Sequence, residues 1–265
     1  ERGDKVASPV TDSVKISVNQ LQVSGATVYS EAQLIALTGF TPGSELSLSE
    51  LRTMADKISA HYQRNGYFVA KAYLPAQDIK NGVVTIAVLP GVLESVEVVW
   101  PQDELRVNRD IVESHLNRLK PGSVIRVEEV ERVVFLLNDL RGIRMSFAIK
   151  PGKQAGKAIL VATPTNDKAL TGSLGLDANG SRYAGTYRGI ATFSWESPFG
   201  LGDSFSVSHL QSETGGLDFT LLGYTLPVGS NGLKLGLNVS TVNYSLEEND
   251  FPLGLNGDAE SIGAF

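Results

Sequence analysis

The spacing of apolar positions changes repeatedly along the chain, and each change predicts a new element. Lys15–Val23 alternates apolar and polar residues (Ile16, Val18, Leu21, Val23) as far as Ser24-Gly25, which predicts a strand. Helical spacing follows. Ser30 can cap a short helix over Glu31–Leu37 that ends at Gly39, and Ser47 with Glu50 makes a capping box for a longer one. Leu48, Leu51, Met54, Ala55, Ile58 and Tyr62 form the apolar stripe of that second helix, and Asn65-Gly66 ends it. Tyr67–Leu74 and Val83–Leu89 then alternate on either side of the Asn81-Gly82 turn, which predicts a hairpin. The order is β-α-α-β-β.

The same order returns. Pro121-Gly122-Ser123 repeats Pro42-Gly43-Ser44 at an offset of 121 − 42 = 79 residues. At that offset Leu48 falls on Val127, Leu51 on Val130, Ala55 on Val134 and Ile58 on Leu137. Leu93–Trp100 is the second copy's first strand, Arg109–Leu119 its short helix and Val127–Leu140 its long one, striped by Val127, Val130, Val133, Val134, Leu137 and Leu140. Arg144–Lys150 and Lys157–Thr163 make its hairpin. Such a duplication decides the fold class. The chain carries two small α/β modules, joined at Pro90-Gly91 with almost no linker.

Beyond Thr165 no helical period survives. Leu174, Leu176 and Ala178 alternate with polar or glycine positions. Tyr187, Gly189, Ala191, Phe193 and Trp195 share one side of the next strand, and Phe205 and Val207 alternate with serines. Leu222, Tyr224, Leu226 and Val228 line another strand, and Leu233, Leu235, Leu237 and Val239 the next. The connectors are Ser197–Asp203, Ser212–Gly216, Pro227–Gly232 and a long polar stretch, Glu247–Ser261. Long alternating strands in a glycine-rich meander predict a transmembrane β-barrel sheet, with a soluble sandwich wet on one face as the alternative.

Composition sharpens the boundary. Residues 1–168 hold 20 Lys/Arg, 19 Asp/Glu and 11 Gly, whereas 169–265 hold 3, 10 and 16. The predicted organisation is a flexible leader (1–14), modules at 15–91 and 92–165, and an incomplete barrel at 166–265. The net charge of −6 argues against nucleic acid as the main partner. With no cysteine, no disulfide framework and no thiolate metal site is possible. The first residue is Glu1, so the missing signal peptide carries no information about compartment.

Catalytic chemistry finds little support, and neither a cofactor nor a metal is expected. His61, His115 and His209 are scattered, and no nucleophile elbow, Walker loop or dinucleotide fingerprint is present. Glu128, Glu129 and Glu131 lie in the first turns of a helix, where negative charge offsets the dipole. Asn179, Asn238 and Asn243 sit in N-x-S/T patterns but read as turn and strand residues.

Two such modules followed by a meander resemble the outer-membrane transporters of two-partner secretion, the hemolysin-activator type, whose modules are polypeptide-transport-associated (POTRA) domains. The residues that carry the likeness are Pro42-Gly43-Ser44, the helix through Leu51 and Ile58, Asn65-Gly66-Tyr67 leading into Val69–Leu74, and the turn Pro198, Phe199, Gly200, Leu201, Gly202 and Asp203. The resemblance implies a pore in the outer membrane of a Gram-negative bacterium with its modules in the periplasm. Those modules would capture an unfolded secreted partner, of adhesin, hemolysin or toxin type, and pass it to the barrel. Sixteen strands are usual in the family, against five and the start of a sixth here. The resemblance therefore implies a fragment that is no pore by itself, lacking the plug helix and the late arginine-bearing loop. The open strand edges of such a fragment are expected to pair, with another copy or another molecule. A barrel-assembly insertase and a soluble periplasmic scaffold are the competing readings.

Within this reading the candidate binding residues lie on strand edges, where unpaired N–H and C=O groups can accept an added strand. They are Tyr67, Phe68, Val69, Ala70, Lys71, Ala72, Tyr73 and Leu74 in the first module, and Met145, Ser146, Phe147, Ala148 and Ile149 in the second. Tyr183, Tyr187, Phe193 and Trp195 are candidates for an aromatic girdle at the membrane interface.

Overall fold

The protein is described from a computed structural model that covers residues 14–246 and 254–265. The expected leader lies almost wholly outside the described residues, as does part of the connector after the fifth barrel strand. The chain forms two compact units. One ends at Glu97 and also takes in Leu119–Glu131 and Ile149–Leu160. The other consists of Val98–Arg118, Arg132–Ala148 and Val161–Phe265.

In the first unit β1 (Lys15–Val18) and β2 (Gln20–Ser24) replace the single strand expected over Lys15–Val23. The break is at Asn19, whose backbone N–H donates to Gly82 O at 2.8 Å. Then come α1 (Glu31–Thr38), β3 (Ser44–Ser47) and α2 (Leu48–Arg64). β1 leaves the main sheet and pairs with β3, Ile16 facing Leu46. Both expected helix starts are present: Ser30 with Gln33 and Ser47 with Glu50 form capping boxes. Gly39 closes α1 in the left-handed conformation, as a glycine C-cap should.

β4 (Lys71–Tyr73) and β5 (Val83–Leu89) complete a mixed sheet in the order β2-β5-β4. β2 runs parallel to β5 and β4 antiparallel to it. Leu21, Val84, Ile86 and Ala72 of the sheet, with Leu34 of α1 and Leu51, Ala55, Ile58 and Tyr62 of α2, fill one core. The stripe read from sequence is the buried face of α2. The strand expected over Tyr67–Leu74 shrinks to three residues. Its first half is a turn, with Tyr67 N–H donating to Tyr62 O and Ala70 N–H to Tyr67 O, both at 3.0 Å.

The second repeat supplies β6 (Val92–Val98), α3 (Arg109–Leu116), α4 (Val127–Asn138), β7 (Ile143–Pro151) and β8 (Lys157–Asn166). Its sheet has the order β6-β8-β7, so β7 is an edge, as β4 is in the first repeat. Val112, His115, Leu116, Val133 and Leu137 are the buried positions of its helices.

Six antiparallel strands follow as an unbroken meander: β9 (Leu170–Asp177), β10 (Arg188–Glu196), β11 (Ser204–Ser212), β12 (Leu217–Val228), β13 (Leu233–Ser245) and β14 (Asn256–Ala264). β14 takes residues expected to belong to the long connector. Its sequence alternates poorly, and pairing with β13 (Val239 opposite Ile262) defines it. The sheet is open, with β9 and β14 as its edges.

Candidate strand edges and membrane face

The two candidate edges are built alike. In the first, Ala70 and Ala72 are buried and Tyr67 and Leu74 pack against the same core, while Phe68 and Tyr73 are exposed, so half of the eight predicted residues serve the core. Lys71 is exposed and Tyr67, Val69 and Leu74 are half-buried. In the second, Ile143 and Met145 are buried, Phe147 is half-buried, and Ser146, Ala148 and Ile149 are exposed. The cover over β7 therefore fades along the strand. Backbone groups on both edges are already engaged by helix side chains. Ala72 N–H donates to Ser59 Oγ at 2.8 Å, and Met145 N–H donates to Asn138 Oδ1 at 2.9 Å.

Beside the first edge Tyr29, Tyr62 and Tyr67 meet edge to face, with centroids 5.0 to 6.2 Å apart, and His61 joins them through Tyr29. His61 is thus a half-buried ring set edge to face on Tyr29. Burial pushes the Tyr29 and Tyr62 phenols above their ordinary values. Arg126 lies over the Tyr67 ring at 5.7 Å, and Val127 N–H donates to Gly66 O at 2.8 Å.

The turn Pro198–Asp203 is buried at Gly202 and Asp203, while Phe199 is exposed. Ser197 holds φ +54, and its Oγ accepts from Gly202 N–H at 3.1 Å. Asp203 is wholly buried and accepts from Leu201 N–H at 3.1 Å and from Tyr224 Oη at 2.9 Å. The turn meets the second repeat through Asn108 N–H to Gly200 O (2.8 Å) and Arg141 N–H to Gly202 O (3.0 Å). A Cβ on Gly142 would sit 2.8 Å from Ser197 Cβ, and one on Gly202 would sit 2.9 Å from Leu140. Glycine is required at both by close approach as well as by positive φ. A few residues away, Lys234 and Asp139 form an ion pair at 2.7 Å.

One face of the six-stranded sheet is apolar and turned outward. Leu174, Leu176 and Ile262 are 89, 91 and 81% exposed, and Leu233, Leu235 and Leu237 are more than half exposed. Register places Leu170, Trp195, Phe205, Tyr224 and Leu237 in one row across the sheet. Phe193, Val207, Leu222, Val239 and Ile262 form the next. The opposite face carries Thr171, Ser173, Thr192, Ser194, Ser206, Ser208, Asn238 and Ser240, with Arg188 held in two bonds by Asp177 at 2.8 and 3.0 Å, and also one apolar row, Ile190, Leu210, Phe219 and Val242.

The apolar band is not parallel to these rows. On β9 it runs from Leu170 to Leu176, whereas on β13 it runs from Leu233 to Val239, starting four residues beyond Leu237, the row-mate of Leu170. Four residues are about 13 Å along a strand, and four inter-strand steps are about 19 Å, so the band slants by about 35°. Strands of membrane barrels tilt by about 35–45°. A band crossing the strands at that angle is level when the strands lean as they do in a barrel. Of the predicted aromatic residues, Phe193 and Trp195 stand within the band and Tyr187 just beyond β10 at its other end. Among the described residues no cluster of side chains suits a metal ion, and no helix is long and apolar enough to cross a membrane.

Paired repeats of β-α-α-β-β order leading into an open sheet with one outward apolar face define a class: POTRA modules in front of the first strands of an outer-membrane-type barrel. Two family descriptions match. "POTRA domain, ShlB-type" covers residues 16–91, and "Haemolysin secretion/activation protein ShlB/FhaC/HecB" covers 156–264. Together they span most of the sequence, and over those two stretches the chain is similar to this haemolysin secretion/activation family. It is 28% identical over 224 residues to the heme/hemopexin transporter protein HuxB of Haemophilus influenzae, across 84% of this chain. It is 26% identical over 244 residues to the outer membrane transporter CdiB of Escherichia coli, across 91% of this chain. The chain spans 39% of the length of each of these relatives. The solved structure of Escherichia coli CdiB superposes with a TM-score of 0.70 at 24% identity, over 97% of this chain and 47% of that one, which establishes the shared fold.

Proposed function

We infer that the chain is the periplasmic part and the first barrel strands of an outer-membrane protein transporter of two-partner secretion. Modules at 15–91 and 92–165 lie in the periplasm of a Gram-negative bacterium, and residues 166–265 begin the barrel. The exposure of the apolar band carries this reading, because a soluble sandwich buries such a face, and its slant matches the strand tilt of a membrane barrel. The band meets the lipid of the outer membrane, and the serine- and threonine-rich face lines the lumen. A secreted polypeptide in extended form adds to the edges at Tyr67–Leu74 and Met145–Ile149, with backbone bonds giving affinity and alternate side chains giving selectivity. The open edges of β9 and β14 take neighbouring strands from the rest of the parent barrel, or from a second copy when the chain is isolated. No catalytic step is assigned to any residue.

Planar-bilayer conductance of the parent transporter beside this chain tests the reading. The parent conducts and the 265-residue chain alone is silent. A parent that stays soluble without detergent and forms no channel overturns it.

A further inference from the structure

Ser59 and Asn138 occupy the same place in the two repeats, since 138 − 59 = 79, the offset of the duplication. Each sits on its module's long helix and reaches the edge strand beside it. Ser59 Oγ accepts from Ala72 N–H at 2.8 Å and shares its proton between Ala72 O (3.3 Å) and Ala55 O (3.1 Å). Asn138 Oδ1 accepts from Met145 N–H at 2.9 Å while its amide donates to Met145 O at 3.3 Å and Val134 O at 3.0 Å. Both side chains therefore satisfy the outward N–H and C=O of one residue on an open edge. These are the groups that an added strand must bond.

What remains free follows from alternation. Gly152 N–H donates inward to Lys157 O, so the even-numbered rungs of β7 face β8 and the odd-numbered ones face outward. Asn138 fills the rung at Met145, Pro151 has no N–H, and between them lie the outward rungs of Phe147 and Ile149, at the half-open end of the strand. On β4 the outward N–H of Ala70 goes to Tyr67 O and that of Ala72 to Ser59. That edge offers no run of two free rungs from Ala70 to Tyr73. We propose that Ser59 and Asn138 are edge clamps that set where a secreted strand is added: at Phe147–Ile149 of the second module, with the first module's edge held shut. This rests on the strand-addition reading above and narrows it. The partner is an extended polypeptide with two alternate apolar side chains, placed beside Phe147 and Ile149.

The chain has no cysteine of its own, so disulfide trapping reads the site. The probe is a synthetic peptide of alternating valine and threonine with one central cysteine, added to the parent transporter bearing a single cysteine at Lys71, Arg144 or Ala148. Trapping is expected at Ala148, with Lys71 and Arg144 lower by about tenfold because Ala70 and Ala72 beside the one and Met145 beside the other are already bonded. Asn138→Ala raises trapping at Arg144, and Ser59→Ala independently raises it at Lys71. Asn138→Ser, which keeps an acceptor, partly restores the contrast. Amide exchange without peptide gives a second readout: Met145 and Ala72 exchange slowly, and each speeds up only in its own variant while Leu137 and Ile58 stay protected. Equal trapping at all three positions, or no shift in either variant, overturns the clamps and leaves strand addition standing. Absence of trapping everywhere sinks both.

Discussion

The first unit and the six-stranded sheet use apolar residues in the same alternating or striped patterns and send them to opposite places. Leu34, Leu51, Ile58, Val84 and Ile86 are at most fractionally exposed, enclosed by two helices and a mixed sheet. Leu174, Leu176 and Ile262 come from equally regular strands and stand almost fully open. Periodicity therefore reports which face is apolar and leaves open what covers it. In the first unit the cover is protein, and the hydrophobic effect stabilises the fold in water. In the sheet none of the described residues covers the face, and the proposed cover is lipid, a reading that the slant of the band supports.

That contrast can be broken by substitution. Ile58→Ala should lose about 2–5 kcal/mol in denaturant unfolding followed on the first unit's helix signal, whereas Leu174→Ala should change the same transition by less than about 0.5 kcal/mol. Leu222→Arg should cost the lipid-folded parent about 2–4 kcal/mol, with Ser240→Arg on the opposite face costing far less. Urea titration in bilayers checks this pair, and equal costs would remove the distinction between the faces. Tyr224→Phe leaves the buried Asp203 without its hydroxyl donor and should cost about 1–3 kcal/mol in the same titration. The smallest effect belongs to the first unit's cap. Ser47→Ala should lose about 1 kcal/mol.

Glu50 gives that cap a pH signature. The Ser47 backbone N–H, then the Ser47 hydroxyl, hold the Glu50 carboxyl below the ordinary glutamate value. Its contribution is full above the unfolded value and disappears as pH falls through the lowered folded one. Acid titration of first-unit stability should therefore flatten in Glu50→Gln.

Local devices were legible in the sequence because their causes are local. Ser30, Ser47 and Gly39 act on residues within one helical turn, and the stripe through Leu51, Ala55, Ile58 and Tyr62 needs only the helical period. The repeat at offset 79 was legible because both copies carry one pattern, and the strand meander because alternation is local. Asn19 breaks the first strand through a bond to Gly82, a partner that no window of sequence contains. Tyr67 curls into a turn because Tyr62 O accepts its N–H, which cut the expected edge strand to Lys71–Tyr73. β14, with poor alternation of its own, exists through its pairing to β13. The turn Pro198–Asp203 was recognisable as a motif, but its backbone bonds to Asn108 and Arg141 are tertiary. Ser59 and Asn138 were within reach: carrying the offset of 79 onto polar helix positions as well as apolar ones pairs them.

The account stands on the claim that the exposed apolar face meets lipid. Spin labels placed singly at Leu222, Leu237, Ser206 and Asn238 of the parent in bilayers test it directly, by comparing collision with oxygen and with a water-soluble nickel chelate. The account predicts oxygen-dominated collision at Leu222 and Leu237 and chelate-dominated collision at Ser206 and Asn238. Strong collision with the chelate at all four positions would contradict it.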